Sequence, residues 1–355
     1  GGNDVLTFRF SGSNMREGGI VPNNVFQKSN LSFGTGISLL DKKLNISTTT
    51  NYINSGGTRI QQGSNLSGVM LGLLRTPITF DNANGIENKP WDDASSYQMA
   101  DGSQRNFRGG SGYDNPFWTV NKNPFTDQVN RIIQNIQATY QFSNWFILGT
   151  NIGLDTYSDR RQQKFAIGSR AYPTGKIIED NFNVTQTDAY LTATGKGYLN
   201  KAKTLDFSYY AGFNSFTYSS NNLRATGSNL AFDDFENVGN TTQMNIKRTL
   251  DKHKSVSGFA SVDVGYKSTY FLTLTARQDY DSRFVSPEKE FKLSDIGFFY
   301  PSVSGSWIFS ELIKKNKILS FGKLRASFAQ IAKGPNDPYI TSTTYQQSSG
   351  LQAVN

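Results

Sequence analysis

The chain has 355 residues, 36 Lys and Arg against 28 Asp and Glu for a net charge of +8, one His and no Cys. The missing Cys excludes a disulfide framework, a thiolate metal site and a Cys nucleophile. The basic balance suits an anionic partner such as nucleic acid or lipopolysaccharide. Like charges cluster only in short pairs, Lys314 with Lys315 and Arg160 with Arg161, and these read as solvated loops and strand ends, so nucleic acid is not expected.

Aromatic residues make up 13% of the chain, with 26 Phe and 17 Tyr, yet the hydrophobic total is only 36%. A soluble chain of this length gathers Leu, Ile and Val into a core. Thinly spread apolar residues separated by Asn, Ser, Thr and Gly instead suit a barrel with a polar lumen and an apolar outer band. No run of about 18 apolar residues is available for a transmembrane helix. Gly1-Gly2-Asn3-Asp4 lacks the basic and apolar regions of a signal peptide.

Alternation with a period of two dominates the chain. It starts with Val5, Thr7 and Arg9 against Leu6, Phe8 and Phe10. Leu31, Phe33, Thr35, Ile37 and Leu39 then lead through Asp41-Lys42-Lys43 into Leu44, Ile46, Thr48, Thr50 and Tyr52. A long polar stretch over 55–126 follows. Ile132, Ile136, Ala138, Tyr140 and Phe142 turn at Ser143-Asn144 into Phe146, Leu148, Thr150, Ile152 and Leu154. Residues 188–198 turn at Asn200-Lys201-Ala202 into Leu205, Phe207, Tyr209, Ala211 and Phe213. Val256 to Tyr266 and Tyr270 to Ala276 form a hairpin about Lys267 and Ser268. The last pair runs over 300–309 and 318–331, with a helical turn expected at 310–316.

The pattern predicts roughly ten strands joined by connections of two classes. Short turns of about two to five residues alternate with long polar loops over 55–126, 158–181, 219–243 and 285–295, with a loop-like tail from 332. A membrane barrel alternates its connections in this way, short on the periplasmic side and long outside. Aromatics gather at strand ends, among them Tyr140, Phe142, Trp145, Phe146, Tyr266, Tyr270, Trp307 and Phe309, which is where a bilayer's headgroup level holds them. The fold expected is an all-β, antiparallel transmembrane barrel.

Several segments resemble SusC/RagA-type TonB-dependent transporters of Bacteroidetes. The opening Gly1-Gly2-Asn3-Asp4 with its strand, and Arg16-Glu17-Gly18-Gly19-Ile20-Val21-Pro22-Asn23, look like that family's early barrel strands. Leu73-Leu74-Arg75-Thr76-Pro77 with Phe80-Asp81 is similar to one of its loops. Ala276-Arg277-Gln278-Asp279 with Asp281-Ser282, then Tyr300-Pro301-Ser302-Val303-Ser304 and Gly322-Lys323-Leu324-Arg325-Ala326-Ser327, resemble its middle and following strands. The resemblance covers nearly the whole chain, and the order and spacing of the segments carry it.

What the resemblance implies is a 22-stranded outer-membrane barrel plugged by an N-terminal domain. Such a barrel imports oligosaccharides or peptides, with a SusD-like surface lipoprotein as lid and TonB supplying energy. This sequence shows no plug, TonB box or closing C-terminal strand. The expectation is therefore that residues 1–355 are one part of a longer barrel. Outside that family, the readings left open are a siderophore-type receptor or passive porin, and a soluble secreted β-rich adhesin or glycan-binding module.

No enzyme is expected. His253 stands between Lys252 and Lys254 without the partners of a triad or zinc site. Arg277, Asp279, Asp281 and Arg283 share one parity, and should line the lumen with Asp263 if Leu272 and Leu274 face lipid. They serve there either as contacts for solute or plug, or as an ion-pair network stiffening the wall. In the longest loop, Trp91, Tyr97, Tyr113, Phe117 and Trp118 either stack on a ligand or lid, or pack the loop onto its neighbours. Asp92, Asp93, Asp101 and Asp114 of that loop lack calcium-loop spacing, and Gly109 to Gly112 has no phosphate-loop Lys after it. No metal or cofactor is expected.

Overall fold

The computed structural model describes residues 1–61, 66–85, 90–109, 112–286, 288–313, 319–338 and 340–341. Among them eleven strands form one antiparallel sheet in strict chain order. These are β1 (Leu6–Gly18), β2 (Val25–Leu39), β3 (Leu44–Arg59), β4 (Phe125–Ser143), β5 (Phe146–Ile167) and β6 (Thr174–Tyr198). They continue with β7 (Leu205–Leu230), β8 (Thr241–Tyr266), β9 (Tyr270–Asp281), β10 (Gly297–Trp307) and β11 (Leu324–Ala329). Each strand pairs with its sequence neighbour, so every connection is a hairpin.

The tight turns lie at one end of the sheet. At β2–β3, Leu40, Asp41 and Lys42 take φ of 54°, 52° and 67°. At β8–β9, Lys267 and Ser268 take 50° and 52°. Positive φ at successive turn residues matches the twist of the flanking strands, which is why such turns close two-residue hairpins.

The expected hairpins form with the expected strand order, and there is one strand more than ten. The expected loops over 158–181 and 219–243 do not form. β5 runs on to Ile167 and β6 starts at Thr174, leaving six residues between them. β7 runs on to Leu230 and β8 starts at Thr241. In these extensions both faces carry polar side chains, so alternation fades although the hydrogen-bond ladder continues. A strand wet on both sides reads as a loop. Of the turn expected at 310–316, a 3-10 turn covers Phe309–Glu311, and 314–316 lie outside the described residues. The last strand is the shorter Leu324–Ala329, and most of the tail from 332 also lies outside them.

Directly paired residues of an antiparallel sheet point to the same side, so the register sorts the side chains. One face carries Phe10 with Phe33, Leu31 with Tyr52 and Ile132, Ile136 with Ile152, Leu191 with Phe213, and Val262 with Leu274, Val303 and Phe328. Among the described residues, no charged side chain stands on this face between the short turns and the level of Arg16 on β1 and Lys254 on β8. The uncharged band is about nine to eleven residues tall, the length that a bilayer-crossing strand requires. Its residues are not packed against protein: Leu272 is 43% and Leu274 50% exposed.

Aromatic rings cluster at the short-turn edge of the band. Tyr266 stacks with Tyr270, and Tyr270 with Trp307. Phe142 contacts both Tyr140 and Phe146. Tyr209 lies over its cross-strand partner Gly195 and its hydroxyl donates to the Trp145 carbonyl at 2.9 Å. A Cβ on Gly195 would stand 1.9 Å from that carbonyl, so only glycine fits beneath the ring.

Candidate functional site

The opposite, polar face carries the charges. Among the described residues six Arg–Asp pairs form there: Arg59–Asp127, Arg131–Asp155, Arg161–Asp159, Arg224–Asp180, Arg277–Asp279 and Arg283–Asp281. All six lie on that one face. Arg224 holds Asp180 through two parallel bonds of 2.8 Å, Nε to Oδ1 and Nη2 to Oδ2, the fork geometry that fixes a guanidinium against a carboxylate.

Of the five residues singled out from sequence, Asp263, Arg277, Asp279 and Asp281 lie on strands with their side chains on this face, and Arg283 pairs with Asp281 from beyond the strand end. Arg277 Nε donates to Asp279 Oδ1 at 2.6 Å, and its Nη2 to Ser257 Oγ on β8 at 2.9 Å. Asp281 ends β9 and accepts the backbone N–H of Arg283 at 2.9 Å, so Arg283 belongs to the 3-10 turn Ser282–Phe284, not to the strand. Asp263 stands apart, lower on β8, and accepts from Thr273 Oγ1 at 2.5 Å. The five are therefore two ion pairs and a separate carboxylate rather than one cluster. His253 lies near Asp251 at 3.2 Å and stacks on Tyr218 with ring centroids 5.0 Å apart.

The second candidate region is the long β3–β4 connection. Within it lie α1 (Val69–Arg75), α2 (Ala94–Tyr97) and α3 (Pro116–Lys122), and the connection folds back onto the far end of β5 and the β5–β6 turn. Asn115 caps α3 by accepting from Phe117 N, with Pro116 at the first turn, where a missing N–H costs nothing. Asp93 caps α2 in the same way, and Asp101 accepts from the N–H and hydroxyl of Ser103.

Trp118, 2% exposed, packs edge-on against Tyr97, 6% exposed, over Ala166, and its Nε1 donates to Ser169 Oγ at 3.0 Å. Tyr113 is buried as well, while Phe117 packs against the cluster and Trp91 is half-buried. Of the two roles set out for these rings, Tyr97, Tyr113 and Trp118 take the packing one. Their faces are covered, so they offer no stacking surface. The reason is geometric: a 65-residue excursion needs a core of its own, and its few large rings are what can supply one.

Asp114 is the polar centre of this cap. Its carboxylate accepts from Ser67 Oγ, from Gln104 Nε2 at 2.8 Å and from the backbone N–H of Arg170 in the β5–β6 turn at 2.7 Å. Burial pushes its carboxyl above the ordinary value, and the bonds from Gln104, Ser67 and Arg170 only partly oppose that rise. The β7–β8 connection joins the same assembly: Asp233 Oδ1 accepts Ile167 N at 2.9 Å, and Glu236 O accepts from Gln162 at 3.0 Å. Sequence reasoning named Asp114 only as a possible cation ligand. It missed four of the six ion pairs, because partners such as Arg59 and Asp127 are brought together by strand register and not by chain proximity.

No family model matches the chain, and no curated protein matches it. Solved structures do. The sheet superposes on the RagAB peptide transporter with a TM-score of 0.69 at 14% identity, over 93% of this chain and 35% of that one. The RagAB peptide importer in its open-open state gives 0.71 at 14% identity, over 92% and 35%. The ferric preacinetobactin receptor of Acinetobacter baumannii gives 0.50 at 14%, over 86% and 41%. The fold is that of an outer-membrane β-barrel wall. The chain spans about a third of the length of the RagAB chains it matches. The barrel wall accounts for the two faces: an uncharged band for lipid, and a charged face turned away from it.

Proposed function

We propose that this chain is part of the barrel wall of a SusC/RagA-like TonB-dependent importer in the outer membrane, carrying peptides or oligosaccharides. One observation carries the reading: six Arg–Asp pairs occupy one face of the sheet, while the other face is uncharged over a bilayer's height. In this reading the polar face, with Asp263, Arg277, Asp279, Asp281 and Arg283, lines the lumen and meets plug and solute. The cap projects outside the cell, where a SusD-like lipoprotein closes over it. TonB acts through a plug that belongs to the longer protein. Transport proceeds by ligand capture and plug rearrangement, with no covalent chemistry in the wall.

Peptide import is favoured over iron uptake because the RagAB structures superpose at 0.69–0.71 and the siderophore receptor at 0.50. Deletion of the gene in its host tests this. Expected is loss of growth on protein digests or oligosaccharides as the sole carbon source, with growth under iron limitation unchanged. Loss of growth only under iron limitation would overturn the substrate class in favour of a siderophore receptor.

A further inference from the structure

The apolar face does not stay uncharged above its band, and the first charges on it have one sign. About 10–14 residues along the strands from the short turns, the charged side chains on this face are Arg16 on β1, Arg160 on β5, and Lys252 and Lys254 on β8. All four are exposed, and among the described residues none forms an ion pair. The nearest anion on the same face, Glu179, stands higher on β6 and accepts from Gln162 Nε2 at 3.2 Å. The opposite face carries six Arg–Asp pairs and, among the described residues, cations outside any ion pair such as Arg9, Lys28 and Lys196, so it mixes both signs along its height where this belt has one.

The height of the belt is informative. At about 3.3 Å rise per residue and roughly 45° of tilt, 10–14 residues reach about 23–33 Å above the short turns. That is the far edge of the hydrocarbon layer, where head groups begin. The surroundings change there from apolar to hydrogen-bonding. Tyr52 Oη and Asn54 Nδ2 both donate to Asn130 Oδ1, at 3.0 and 2.8 Å. Around Arg160 the wall forms a concavity of about 670 Å³ bordered by Gln27, Ser29, Asn54, Gln128 and Asn181, with the Glu179 carboxylate at its upper rim.

We propose that Arg16, Arg160, Lys252 and Lys254 dock the phosphate groups of the outer-leaflet glycolipid against the barrel wall. The inference rests on the barrel reading above and adds to it the partner of this belt. Charge complementarity and continuity with the lipid-facing band select that occupant. Exposed cations at a lipid headgroup level gain most from an anionic surface, and the outer leaflet of a Gram-negative outer membrane supplies phosphate on a sugar scaffold. The concavity by Arg160 admits part of a sugar head group whose hydroxyls meet Gln27, Asn54 and Gln128. With β1 and β8 seven strands apart, at about 4.8 Å per strand, the belt contacts more than one lipid molecule. It is an annular surface, not a single pocket.

The test uses the full-length protein in a non-ionic detergent, titrated with phosphorylated or dephosphorylated lipid A and read by native mass spectrometry. Wild type should retain roughly tenfold more of the phosphorylated lipid, an effect of the size that a few interfacial cations produce. Arg16→Gln, Arg160→Gln, Lys252→Gln and Lys254→Gln together should remove that preference. The charge-conserving set Arg16→Lys, Arg160→Lys, Lys252→Arg and Lys254→Arg should keep it. Each variant is first shown to be folded by the heat-dependent shift of its gel mobility. Equal retention of both lipids by a folded, bilayer-inserted wild type would overturn the belt and leave the barrel reading intact. Complete displacement of the lipid by millimolar inorganic phosphate would also overturn it, since the belt would then be a plain anion site. A protein that stays soluble without detergent and enters no bilayer would overturn both.

Discussion

The wall and the cap use apolar residues in opposite ways. In the wall, Leu272, Leu274, Phe213 and Phe328 stand on an unpacked face, and their favourable environment is lipid. In the cap, Trp118, Tyr97 and Ala166 are closed off by protein, with Asp114 and Asn115 satisfied beneath them. The wall's stability is therefore tied to the bilayer and to an unbroken ladder of strand hydrogen bonds. The cap behaves as a small fold with its own core, tied to the far end of β5 and to the β5–β6 and β7–β8 connections. A single chain thus meets two solvents, and the same residue type does different work in each.

Breaking the cap core should have the largest effect. Trp118→Ala removes the largest buried side chain there and the bond to Ser169, at a cost of about 3–5 kcal/mol. The loss should be local. Hydrogen exchange and limited proteolysis should show the cap opening while amides of the lower wall stay protected. Equal loss of protection in both regions would show that they are one cooperative unit and end the comparison.

The next effect separates the wall's two faces. Leu274→Arg should cost about 2–4 kcal/mol near the bilayer midplane, measured by urea unfolding from lipid vesicles. Thr273→Arg, next to Asp263 on the polar face, should change stability by less than about 1 kcal/mol. Equal responses at the two positions would show that the assignment of faces is wrong.

The smallest effect sharpens the cap's electrostatics. Because burial raises the Asp114 carboxyl, the folded cap holds its proton more tightly than the unfolded chain does. The stability it contributes is fully present below the ordinary carboxyl value of 3.8 and is lost as pH rises through the raised folded value. Cap amides, corrected for intrinsic exchange, should be better protected near pH 4 than at pH 7. Asp114→Asn keeps an oxygen for Gln104 and Arg170 while Ser67 rotates to accept, so it should flatten that dependence. A variant with the wild-type pH profile would place the titration elsewhere.

Much of the wall was legible in the sequence. The hairpins about Asp41, Asn144 and Lys267 announced themselves because one face must be apolar for lipid and the other polar, and that contrast writes a period of two into the sequence. The same physics hid the upper halves of β5 to β8. Above the bilayer both faces of Tyr157 to Gln163 meet water or polar partners, so no alternation survives to mark a strand. The parity of Arg277, Asp279 and Asp281 was readable, but their division into separate pairs was not, since it depends on where β9 ends and the 3-10 turn begins. The rings of the long loop were equally ambiguous. Trp118 in a polar stretch looks the same whether it stacks on a ligand or on Tyr97.

The sequence by itself therefore determined the strand order, the short turns and which side chains share the apolar face, since each depends on neighbours in the chain and on a period of two. Only the tertiary structure decided the rest: the pairing of Arg59 with Asp127 and of Arg224 with Asp180, the burial of Tyr97 and Trp118, and the one-signed belt of Arg16, Arg160, Lys252 and Lys254. Those features depend on register between strands and on the folding back of a long loop. Register is a property of the whole sheet, and no local pattern encodes it.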